Sequence, residues 1–296
     1  MKKILFVSFL LFPLYVHAEI ASGSDCGENC HWSISETGTL TVYGENAKIG
    51  SFEGIQENGN TVGTTAPWGS YIDQIKNIEI KEGVVDLGYK AFSYIESQKP
   101  IEVPSTVSSI SGAAFYRLRA PEVIMTDSVK EIKADAFSWS SIEKIDIPNS
   151  VTSIEGAFRG AKLIDVVIPS NVEYIAPATF SACFNLKSIT IGENTALGSF
   201  LTHHKDNSTR MTDIANLKIY CMGDTAKCDA NLAAAGYENL KSIKAEAKVI
   251  NGITYIFDKK GNIVATSGTR TNKRIYTVEE ASMVSGKKNS VMIRYK

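Results

Sequence analysis

The stretch IDIPNSVTSIEGAF, residues 145–158, decides how the rest of this chain is read. Ile145-Asp146-Ile147 alternates apolar and acidic, the period-2 pattern of a short half-buried strand. Pro148 helps end that strand because it has no N–H to give to a ladder. Asn149-Ser150 supplies turn chemistry, Val151 and Ile154 bring the chain inward, and Ala157-Phe158 delivers a ring to the interior.

The same registers recur on both sides. The triplets are Ile78-Glu79-Ile80, Ile101-Glu102-Val103, Val123-Ile124-Met125, Ile145-Asp146-Ile147, Val166-Val167-Ile168 and Ile189-Thr190-Ile191, spaced by 23, 22, 22, 21 and 23 residues. Four positions beyond them lie Val84, Val107, Val129, Val151, Val172 and then Thr195. Three further on come Leu87, Ile110, Ile132, Ile154 and Ile175, followed by pairs ending in Phe92, Phe115, Phe137, Phe158 and Phe180. One copy cannot bury its apolar face alone, whereas stacked copies can. The expected fold is a repeat solenoid, mainly β, with one short parallel strand per repeat. At about 4.8 Å per rung, six rungs extend roughly 24 Å from first to last. Recurrent prolines and the period exclude helical heptads.

Composition agrees. In 296 residues, 44% hydrophobic content supports a sizeable core, and a net charge of −1 argues against a general nucleic-acid binder. Residues 1–18, MKKILFVSFLLFPLYVHA, have a basic start, an apolar run and small residues before Glu19, the pattern of a secretory signal peptide. The run is too short to span a membrane, and no later window reaches transmembrane length. Export permits disulfides. Cys26 and Cys30 enclose three residues and Cys221 and Cys228 enclose six, so two local disulfides are expected; zinc would need more neighbouring ligands. Cys183 is expected in the core.

The pattern IPxxVxxIxxxAF, as in Ile147-Pro148-Asn149-Ser150-Val151 with Ala157-Phe158, resembles the leucine-rich repeats of the BspA-like surface antigen family, also called the Treponema pallidum type. Ala178-Thr179-Phe180-Ser181-Ala182-Cys183 with Leu186 matches its fuller form, AFxxCxxL. The leading segment is similar too: Cys26 to Trp32, a hairpin of Trp32-Ser33-Ile34 and Thr39 to Val42, and Ala66-Pro67-Trp68. The chain lacks the asparagine ladder of better-known leucine-rich repeats and has Ile and Val where those have Leu. The resemblance implies an exported or surface protein of bacteria that adheres to host matrix proteins or other cells, with no shared catalytic residues.

The expected organisation is a signal peptide (1–18), an N-terminal β-hairpin cap segment (19–74), the repeats (75–200), a loop and C-terminal cap (201–247), and a small ββαβ module (248–296). The sixth copy loses its pattern after Ile191, and residues 198–213 read as a polar insertion loop. Asp229 to Ala235 reads as a short helix, Ala245 to Lys248 as a junction, and Ile253 to Phe257 with Asn262 to Ala265 as a hairpin. Thr277 opens another helix and Val291 to Tyr295 a final strand.

No GxSxG, HExxH, GxxxxGK[ST] or GxGxxG motif occurs. His203, His204 and Asp206 come nearest to a metal set, but adjacent histidines in a polar loop are more often solvated; no cofactor is expected. The middle residue of each triplet should point outward, placing Glu79, Glu102, Ile124, Asp146 and Val167 on an exposed sheet face, with Glu122 and Asp165 beside them. That face could take a basic or mixed-character protein; the plainer reading is a charged face kept soluble. The reading is therefore a non-catalytic, secreted or cell-surface adhesion protein with a protein partner, the periplasm being another destination. The alternatives are a structural envelope component without a specific ligand, and a secreted enzyme whose repeats only present it.

Overall fold

A computed structural model describes residues 19–58, 60–201, 216–250 and 253–267. The triplets lie along one wall. Ile101–Glu102 pairs in parallel with Val123–Ile124, and Asp165–Val167, Ser188–Gly192, Lys218–Met222 and Ser242–Ile250 continue as a parallel run. Among the described residues antiparallel pairs flank the repeats on both sides, so the sheets are mixed. The decisive triplet itself differs from expectation. Ile145-Asp146-Ile147 forms no strand; the wall is held there by one bridge, Lys144 to Asp165, while Ile145 and Ile147 stay buried. Proline does not explain the difference, since Pro104 and Pro169 follow triplets that do pair; side-chain burial holds the chain in place here.

A second parallel sheet runs where inward turns were expected. Ser109–Ile110, Glu131–Ile132, Ser153–Ile154, Tyr174–Ile175 and Ala196–Leu197 pair in order, each aliphatic residue over the next. The sixth copy therefore keeps its pattern. Thr195 fills the valine position, its hydroxyl donating to the Val172 carbonyl at 3.2 Å, and Leu197 pairs with Ile175. The copy is shortened, which brings Phe200 rather than a polar loop residue into the core.

The phenyl rings form a column through the molecule. Centroids from Phe92 to Phe180 are 5.6, 5.3, 5.6 and 5.6 Å apart, with planes inclined by 16°, 15°, 12° and 4°. Spacings wider than the strand separation mean offset stacking, which the ring quadrupoles favour over a face-to-face sandwich. The same residues carry a third ladder: the N–H groups of Phe92, Phe115 and Phe137 each donate at 2.8 Å to the alanine carbonyl one copy ahead. Flanking each pair are two left-handed residues, Lys90 and Tyr94, Ala113 and Arg117, Asp135 and Trp139, Gly156 and Gly160, Ala178 and Ala182. In the first three sets the second member, Tyr94, Arg117 or Trp139, is turned at least partly out of the stack, whereas Ala182 in the last set is buried.

Both ends imitate a repeat. Trp68 stacks on Phe92 at 5.7 Å, and its indole N–H donates at 2.8 Å to the Ala91 carbonyl, where a preceding copy's amide would bond. The hairpin of His31–Ser35 and Thr39–Tyr43 adds its second strand in parallel to Asn77–Ile80, and Cys26 is disulfide-bonded to Cys30. At the other end Phe200 meets Phe180 edge-on and Tyr237 follows at 5.2 Å. Cys221 is bonded to Cys228, which lies inside the helix Thr225–Ala234. That helix starts earlier than expected because Asp224 accepts from Ala226 N–H as its N-cap. The expected boundary at 247/248 falls inside the strand Ser242–Ile250, which pairs antiparallel with Ile253–Asp258, itself paired with Ile263–Ser267. The signal peptide, His203, His204, Asp206, the Thr277 helix and the Val291 strand lie outside the described residues.

Phe137→Ala, at the middle of the column, is expected to cost about 3–5 kcal/mol, read as a shift of the urea midpoint. Cys183 is buried, its Sγ donating to the Phe158 carbonyl, and burial pushes its thiol up to about 12. It should resist a disulfide reagent at pH 8 in the native protein and react once the protein is denatured. The unfolded thiol ionises near 9.0, so its contribution to stability is full below that pH and is lost as pH rises towards 12.

Candidate functional site

The expected face runs along the triplet wall as a row: Thr41, Glu79, Glu102, Ile124, Asp146, Val167, Thr190 and Tyr220. Register ties together Thr41 with Glu79, Glu102 with Ile124, and Val167 with Thr190 and Tyr220. The first half is open. Glu79 and Glu102 are exposed, and Glu122 and Ile124 are half-buried. The second half is covered, which corrects the expectation for Val167: it is 7% exposed, and Thr190 is fully buried. The C-terminal hairpin folds back over them. Val167, Tyr220, Ala245 and Ile256 form a small second core, with Val264 and Ala265 packed against it. Lys144 Nζ lies 3.3 Å from Thr266 Oγ1, fastening the hairpin edge to the wall. Burial, then the nearby Asp258 and Asp165, pushes the Tyr220 phenol above its ordinary value.

The acids are less mutually repulsive than a bare row would be. Lys81 pairs with Glu79, Lys144 lies 3.9 Å from Asp146, and half-buried Asp165 accepts from the Ser188 hydroxyl. Glu102 has no ion-pair partner among the described residues. What remains for a macromolecule is therefore the patch around Glu79, Glu102, Glu122 and Ile124. Among the described residues no group of histidine, cysteine, aspartate and glutamate is arranged to hold a metal, and no helix is long and apolar enough to cross a membrane.

A concavity of about 630 Å³ lies elsewhere, on the side wall made by the left-handed turns, and the sequence reading missed it. Tyr94, Arg117 and Trp139 occupy the second position after successive column phenylalanines, and Glu96, Arg119 and Lys162 the fourth position in their copies. The signal lay in two columns just past each Phe, but residue types change from copy to copy there and no period-2 or apolar rule selects them. The Arg117 guanidinium sits 5.7 Å from the Tyr94 ring and 5.8 Å from the Tyr116 ring. Trp139 lies across Gly160, where an added Cβ would come 2.5 Å from its indole carbons. Gly160 is therefore needed for ring space rather than for its φ of 68°, which L-residues adopt in the other copies.

Ile256→Ala should loosen the hairpin and leave the phenyl column intact. Amide exchange is expected to quicken across Ile253–Asp258 and around Thr190, with the Phe115 and Phe137 amides unchanged.

Residues 70–187 and 155–277 match the BspA type leucine-rich repeat region, in six copies. Comparison with curated proteins gives no match. Among solved structures, a leucine-rich repeat protein from Eubacterium ventriosum ATCC 27560 is similar at 21% identity and a TM-score of 0.49, over 63% of this chain and 49% of that one. Another from Bacteroides ovatus ATCC 8483 is similar at 19% and 0.39, over 66% and 54%. A leucine-rich cell surface protein from Faecalibacterium prausnitzii A2-165 gives 14% and 0.24, over 60% and 72%. The chain thus spans about half the length of the first two.

Proposed function

The chain belongs to the BspA-type leucine-rich repeat family, a mainly β fold, and from that premise we propose that it is a non-catalytic adhesion scaffold working outside the cytoplasm. Proteins of this family are commonly surface-associated, and leucine-rich repeat domains are generally protein-interaction modules. In this reading residues 1–18 direct export and the mature chain is secreted or held at the cell surface. Its repeats act as one solenoid rod, and the partner is a protein of host matrix or of another cell. The domain limits used above, 19–74, 75–200, 201–247 and 248–296, are part of the same proposal.

The observation that carries it is the open half of the triplet wall. Glu79 lies on the strand Asn77–Ile80, Glu102 pairs in register with Ile124, a partly exposed apolar residue, and Glu122 precedes that strand, so the acids stand on hydrogen-bonded backbone. A rigid surface loses little conformational entropy when a partner docks, and its acids steer a basic partner at a rate that falls with salt. The free cysteine, Cys183, is buried and held protonated, so it offers no ready nucleophile.

The test is an array of matrix proteins and whole cells probed with the mature protein across a salt titration. Glu102→Lys with Glu122→Lys is expected to weaken capture at least tenfold and to reverse its salt dependence. Unchanged capture by the double variant, or no capture at all, would remove the adhesion role of this face.

A further inference from the structure

We infer that the side-wall groove is a binding site for a carboxylate-bearing polysaccharide, a polymer of uronic acid type. This goes beyond the adhesion reading and shares no residue with the acidic wall, so each can fail without the other. The groove joins three chemistries that such a chain presents together. Its carboxylates match guanidinium forks, which bind them with two parallel hydrogen bonds. The Arg117 and Arg119 side chains are exposed in the groove, with Lys162 beyond them. Sugar rings also carry flat C–H faces, and Tyr94 and Trp139 line the same concavity two rungs apart, roughly 10 Å along the stack. Sugar hydroxyls both donate and accept, and Asp73, Glu96 and Gln98 provide acceptors beside the arginines.

The competing occupants fit less well. A peptide adding as a strand needs open backbone groups. Here the N–H groups of Tyr94, Arg117, Trp139 and Gly160 are already bonded to the carbonyls of Tyr116, Ser138, Arg159 and Ser181 in the next copies. A single-stranded nucleic acid or a densely sulfated glycan needs a strong excess of positive charge. The carboxylates of Asp73 and Glu96 lie among the cations of this groove, with Glu96 only 3.8 Å from Arg119. One charge per sugar, interrupted by hydroxyls, matches that mixture.

Preorganisation supports the assignment. Arg117 is held over two tyrosine rings, and Trp139 rests on the bare backbone of Gly160, so neither side chain must be ordered from a free state when a ligand arrives.

Polygalacturonate is the probe, set against heparin, polyglutamate, oligo-dT and neutral dextran, at low and physiological ionic strength. Trp32 and Trp68 are buried, so emission quenched by acrylamide reports Trp139. Polygalacturonate is expected to bind most tightly of the five and to protect that emission. Arg117→Ala should weaken binding at least tenfold while circular dichroism stays unchanged. Arg117→Lys keeps the charge but not the fork and should fall between. No binding of polygalacturonate overturns the inference, as does tighter binding of heparin, polyglutamate or oligo-dT. Binding that leaves Trp139 equally quenchable, or that ignores both Arg117 variants in folded protein, overturns it as well.

Discussion

Each column phenylalanine does two things at once: its ring stacks on the ring of the next copy, and the N–H groups of Phe92 to Phe137 donate to the next copy's alanine carbonyl. Packing and hydrogen bonding are thereby locked to one register, and neither is satisfied at a free end. The ends follow from that constraint. Trp68 supplies both a ring and an N–H to the first copy, doing with a side chain what a repeat does with its backbone. At the far end Phe200 turns edge-on and the Tyr237 hydroxyl accepts from the Leu201 N–H, so the column finishes in a polar contact rather than an exposed ring.

The parts of this fold that could be read in advance were those where one physical demand repeats unchanged. Aliphatic rows and a phenyl row at a period near 22 residues state the stacking directly, the expected disulfides followed from short local spacings, and the N-terminal hairpin followed from the family resemblance. The second sheet was not legible because two-residue strands such as Ser153–Ile154 are too short to show alternation. Phe200 escaped because the sixth copy is shorter, so counting forward by the usual interval passes it. The covered state of Val167 was hidden for a different reason. Whether a side chain on a sheet face meets water depends on a hairpin nearly a hundred residues later, whose own apolar residues Ile256 and Val264 gave no hint of where they dock.

The side wall is a harder case. Tyr94, Arg117 and Trp139 sit at left-handed positions, where the backbone demand is met in the flanking sets by lysine, alanine, aspartate and glycine as well. Nothing in such a column looks periodic, because the fold constrains the backbone there and leaves the side chain open. That freedom is where a repeat protein acquires specificity: the interior must be uniform to stack, and only positions outside the ladders can differ without disturbing it.

The charge distribution carries that argument one step further. A net charge of −1 over 296 residues excludes a broadly basic molecule, yet it averages over two unlike surfaces: acids predominate on the open triplet wall, and on the wall made by the turns cations outnumber the carboxylates of Asp73 and Glu96. Glu79, Glu102 and Glu122 stand on the triplet wall, while Arg117, Arg119 and Lys162 stand on the wall made by the turns. The two sets come from different places in the repeat, the acids from in and beside the triplet and the cations from just past the column phenylalanine. Exposed charges more than a Debye length apart, about 8 Å at physiological salt, act separately. Overall charge is therefore a poor guide to either surface.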